Sequence, residues 1–136
     1  MIRMNKLIAV LAAVMLSGCA AATYKVHPGA GGYVSGVAST AQIFDSQEYD
    51  ALVGANAVIQ QVQADYLANK FPTSSMPAIR TAANAATTAY NTAQAQWLAF
   101  DGALKSGGTP SQAALISAVS AMTAAVAQLT TAKGGA

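Results

Sequence analysis

One thiol and one imidazole limit the chemistry open to this chain. Cys19 is the only cysteine and His27 the only histidine among 136 residues. A zinc site of cysteine and histidine needs three or four ligands, and a haem held by two histidines needs a second imidazole, so one chain supplies neither. A Ser-His-Asp arrangement would have to recruit His27, which stands beside Pro28 in a glycine-rich stretch and reads better as a solvated linker residue. The mature region's carboxylates are Asp45, Glu48, Asp50, Asp65 and Asp101. The first three crowd together without the spacing of a calcium loop, and their place at the start of an amphipathic segment suits a helix terminus better than a cation site or an acid–base pair. Asp65 and Asp101 stand apart in sequence. No catalytic, cofactor-binding or metal-ligating set is expected, and the chain reads as a non-enzyme.

The surroundings of Cys19 are more specific. Arg3 and Lys6 precede an apolar run from Leu7 to Leu16, and Ser17-Gly18-Cys19 closes it. Two cations, a short apolar stretch and a small-residue junction make a secretory signal, too short to span as a mature transmembrane helix. Leu16-Ser17-Gly18-Cys19 resembles the lipobox of bacterial lipoproteins. That resemblance covers residues 1–19 and implies that the Cys19 thiol receives a diacylglyceryl group, that residues 1–18 are removed, and that the new terminus is acylated. Ala20 follows where an aspartate would resemble an inner-membrane retention signal, which implies outer-membrane sorting, on the periplasmic side, in a host with two membranes.

Charge follows from that cut. The precursor carries a formal +2, and losing Arg3 and Lys6 leaves Lys25, Lys70, Arg80, Lys105 and Lys133 against five acids. The mature chain is therefore neutral, which removes any electrostatic argument for nucleic acid as a partner. With Cys19 acylated no thiol remains for a disulfide, so packing alone must hold the domain. The surface is rich in Ala, Ser, Thr, Asn and Gln and poor in charge, a composition compatible with docking against a protein partner or another copy.

Three helices must do the positioning. Residues 19–41 read as the lipidated cysteine and a flexible tether, with four of eleven glycines and Pro28. As a coil it would span roughly 25 Å. A first helix is expected over about 45–70, opened by Asp45-Ser46-Gln47-Glu48 as a capping box with Phe44 stapled on Tyr49. Its apolar stripe is Leu52, Ala55, Ile59, Val62 and Tyr66. A second is expected over about 76–106, with Pro77 in its first turn and a heptad seam of Ile79, Ala83, Ala86, Tyr90, Ala93, Trp97, Phe100 and Leu104. The third, about 110–133, follows Thr109-Pro110-Ser111-Gln112 as a second capping box and repeats the seam through Leu115, Val119, Met122, Val126 and Leu129, widened by Ile116 and Ala125. Three amphipathic segments with short turns predict an all-α, antiparallel up-down-up three-helix bundle over 42–134, preceded by the tether.

Tyr49, Tyr66, Tyr90, Trp97 and Phe100 fall on or beside the seams, so core is their expected role, with a pocket for a small apolar ligand as the alternative. Tyr24 and Tyr33 have no evident core and suit a membrane interface or a neighbour. No charge falls between Lys105 and Lys133, which raises a membrane-active or lysis-associated role for the third helix; its caps, one-sided stripe and many hydroxyls argue against it. The reading favoured by the sequence is a small envelope lipoprotein, held to a membrane by acyl chains on Cys19, that acts as a structural or protein-interaction module without a cofactor.

Overall fold

The computed structural model describes residues 39–135. The expected signal sequence, Cys19, His27, Tyr24, Tyr33 and nearly all of the expected tether lie outside the described residues. Three helices follow one another: α1 Thr40–Leu67, α2 Met76–Lys105 and α3 Ala113–Gly134. They run up, down and up, and each packs against the other two.

α1 begins five residues before the expected point. Its N-cap is Ser39, whose Oγ accepts from the Gln42 N–H at 3.2 Å while the Gln42 Oε1 accepts from the Ser39 N–H at 2.8 Å. This is a reciprocal capping box, and it takes Thr40 and Ala41 out of the tether. Asp45 is therefore not a cap. It lies inside α1, 3% exposed, one turn before Tyr49 and two before Leu52 on the core-facing side. Phe44 does not staple to Tyr49 either: it meets Phe100 edge-on with ring centroids 5.3 Å apart, and Tyr49 lies against Trp97 at 5.0 Å. Both rings of α1 thus bond to α2 across the bundle rather than along their own helix.

α2 starts and stops close to expectation, with proline in its first turn. The start of α3 is later than expected. Gln112 precedes it with no side-chain cap hydrogen bond, so Thr109-Pro110-Ser111-Gln112 does not form the expected box; Ser111 Oγ accepts only a long 3.4 Å bond from the Ala113 N–H.

Two helix ends share one device. Asn69 and Gly107 both have positive φ, 54° and 82°. After α1, the Asn69 N–H donates to the Tyr66 carbonyl and the Lys70 N–H to the Asp65 carbonyl; after α2, Gly107 donates to Leu104 and Gly108 to Ala103. Each is a Schellman motif, which satisfies the last carbonyls and turns the chain sharply.

The core is the seam that the periodicity predicts. Leu52, Ala55, Ile59 and Val62 of α1, Ile79, Ala86, Ala93, Trp97 and Phe100 of α2, and Leu115, Val119, Met122, Val126 and Leu129 of α3 are all buried. Tyr66, Ala83, Tyr90 and Leu104 pack against them at the margin. Ile116 does not widen the stripe; it is 50% exposed. The many threonines sit comfortably in helices because their hydroxyls donate to carbonyls one turn back, as Thr87 does to Ala83 and Thr123 to Val119, each at 2.9 Å.

Candidate functional site

Among the described residues, polar chemistry gathers at the corner where α1 ends and α2 begins. Leaving the Asn69 turn, Lys70 reaches back to Asp65, whose Oδ1 accepts from Lys70 Nζ at 2.9 Å and from Gln61 Nε2 at 3.0 Å. Lys133, from the last turn of α3, approaches Asp65 Oδ2 at 3.4 Å. One carboxylate therefore ties together the α1 C-terminus, the turn and the end of α3. The hydrogen bond from Lys70, then that from Gln61, holds the Asp65 carboxyl below its ordinary 3.8, and its burial opposes them. The arrangement is an ion-pair clamp.

The next residue, Tyr66, meets Arg80 of α2. The Tyr66 hydroxyl accepts from Arg80 Nη2 at 2.8 Å and from Nε at 3.1 Å. The guanidinium carbon is 5.7 Å from the ring centroid, a distance that matches a fork gripping the phenol oxygen better than a cation stacked on the ring face. A cleft of about 280 Å³ opens beside the pair, lined by Val62, Gln63, Tyr66, Leu67, Ile79, Arg80, Ala83 and Asn84. Tyr66 and Arg80 also border a second groove with Asn69, Phe71, Met76 and Pro77.

The opposite end of the bundle carries most of the acids. Asp101, 7% exposed, receives Lys105 Nζ at 2.6 Å one turn on. Trp97 Nε1 donates to the Asp45 backbone carbonyl at 3.3 Å, fixing the indole against α1. Burial pushes the Glu48 carboxyl above its ordinary 4.5. Asp65 and Asp101, read as separate in the sequence, are separate in space, one at each end.

Cys19, the lipid-attachment site expected from the sequence, lies outside the described residues, as does His27. Of the aromatic set, Trp97 and Phe100 are core and Tyr49 and Tyr90 flank it; Tyr66 alone of the five lines the cleft of α1 and α2. Sequence reasoning singled out Tyr66 as a seam residue and passed over Arg80. The available signal was composition, since Arg80 is the sole arginine after Arg3. Among the described residues, no group of three metal-binding side chains comes together. α3 is 22 residues long and contains an 18-residue stretch with a mean hydropathy of 1.6, long and apolar enough to cross a membrane by length and composition. Its five large seam side chains are nevertheless all turned into the bundle.

Set beside known proteins, the chain matches no family model, no curated protein and no solved structure.

Proposed function

We propose that the chain is a small bacterial envelope lipoprotein in which acyl chains on Cys19 hold a three-helix interaction module at a membrane. The observation that carries this reading is Leu16-Ser17-Gly18-Cys19 behind Arg3, Lys6 and the Leu7–Leu16 run. Confinement by the lipid raises the effective concentration of the bundle for an envelope protein or a second copy, without any catalytic step. Ala20 directs the outer membrane as the destination in a two-membrane host. The bundle supports a docking role through its surface: apart from the clamp, the Tyr66–Arg80 pair, the Asp101–Lys105 pair, Glu48 and Asp50, the outer faces carry uncharged side chains.

The test compares the intact chain with Cys19→Ser in cells, by membrane fractionation and crosslinking with mass spectrometry. The intact chain is expected in the membrane fraction with a defined crosslinked partner. Cys19→Ser is expected to keep its helical spectrum, leave the membrane or persist as precursor, and lose the partner. Unchanged processing with full membrane retention would refute the anchor.

The length and hydropathy of α3 favour a second reading, a membrane-active protein. It requires α3 to leave the bundle and expose Leu115, Met122 and Leu129 to lipid, abandoning their present core. Overexpression through an intact Cys19 then lyses or depolarises cells; harmless accumulation sinks this version.

A further inference from the structure

We infer that the cleft between α1 and α2 beside Tyr66 and Arg80 is a binding site for a small amphipathic anion, a short aliphatic chain bearing an oxyanion head. The inference is independent of the anchor and goes beyond the module reading. Its first ground is charge. Lys70 and Lys133 are engaged with Asp65, and Lys105 with Asp101. Arg80 stands apart: among the described residues its polar partner is the neutral Tyr66 hydroxyl. A guanidinium has five N–H donors, so three are left to a ligand. Two bonds to one oxygen also fix the plane of the fork, which lowers the entropy lost when it grips a carboxylate or phosphate.

The second ground is the phenol. With two N–H groups aimed at its lone pairs, the Tyr66 oxygen must direct its own proton elsewhere, so it is a donor beside the guanidinium. The phenol proton and the remaining guanidinium N–H groups are the donors that this corner offers an oxyanion.

The third ground is the wall. Val62 and Ile79 are buried at the base of the cleft, Ala83 keeps it open, and Leu67 stands at its rim 81% exposed. An aliphatic side chain so exposed next to an arginine without a carboxylate offers an apolar surface and a charged one side by side. A volume of about 280 Å³ suits a tail of roughly six to eight carbons. A longer chain would run out past Leu67.

The test uses the full chain in the presence of phosphatidylcholine nanodiscs, with backbone amide shifts read during titration. Hexanoate and hexyl phosphate are the probes, with hexanol and acetate as the head-less and tail-less controls. Saturable shifts are expected across residues 62–84, with the Trp97 indole signal at the other end unmoved. Hexanol and acetate are expected to bind at least about tenfold more weakly. Arg80→Gln should weaken the anions by about tenfold, and Arg80→Lys, which keeps the charge and loses the fork, by less. Both variants alter an exposed residue, and an unchanged helical spectrum establishes that they fold. The stronger of the two anions names the head group. Equal binding of hexanol and hexanoate, anion binding untouched by Arg80→Gln, or no saturable shift up to on the order of 10 mM would each overturn the assignment.

Discussion

Lys70 holds Asp65 twice: its backbone N–H donates to the Asp65 carbonyl at 3.0 Å, and its Nζ donates to Oδ1 at 2.9 Å. The backbone bond belongs to the Schellman turn, and the turn delivers the side chain to the carboxylate. Asn69 in the left-handed region is what lets both happen at once.

The clamp makes folding sensitive to acid. Because the folded Asp65 lies below its ordinary 3.8, its contribution is complete above that value and is lost as pH falls through the folded one. Thermal melts of Asp65→Asn should therefore fall below those of the parent at neutral pH, and the gap should close as pH falls through the folded value. A gap that persists in acid would mean that Asp65 acts through packing alone.

Glu48 has the opposite sign. Burial raises its folded value above 4.5, so the stability linked to its protonated form is present below that point and lost as pH rises through the folded value. Glu48→Gln should melt slightly higher than the parent at neutral pH and equally in acid. A lower neutral melt would show that the charged carboxylate makes a contact worth more than its desolvation.

The turn after α2 depends on Gly107. At φ 82° a side chain is strained, and Gly107→Ala should cost about 1 kcal/mol in urea unfolding. Asn69→Gly, at φ 54°, should instead be neutral or slightly stabilising. Equal costs for the two would mean that something other than backbone conformation decides these turns.

Neighbouring residues of α3 should separate sharply. Leu115 is 1% exposed and Ile116 50%, so Leu115→Ala should cost about 2–5 kcal/mol and Ile116→Ser under about 0.5 kcal/mol. Comparable losses from both would point to a partner or second copy covering Ile116.

The seam was legible because period alone specifies it: Leu115, Val119, Met122, Val126 and Leu129, spaced four and three apart, are all buried, whereas Ile116, expected to widen their stripe, is not. The helix starts were not. Ser39-Thr40-Ala41-Gln42 has the same capping pattern as Asp45-Ser46-Gln47-Glu48, but its glycine-rich neighbours gave it the look of linker. An aspartate ahead of an apolar stripe reads as a cap, yet Asp45 continues that stripe one turn before Tyr49 and is buried with it. The Tyr66–Arg80 pair was hidden for another reason. It joins residues on two helices across a turn, and helical period relates only positions on one helix.

α2 shares its broadest contact with α3, a lesser one with α1, and the α1–α3 seam is the slightest of the three. The helices therefore differ in how readily they can leave. α1 is bound by the two weaker seams, and it is also the helix that continues toward Cys19. A pull on the chain from its N-terminal side would load α1 first and peel it from the α2–α3 hairpin before that hairpin yields. The bundle would then behave under tension as a weak link in series with a stronger one, releasing the length of α1 while the α2–α3 hairpin stays assembled.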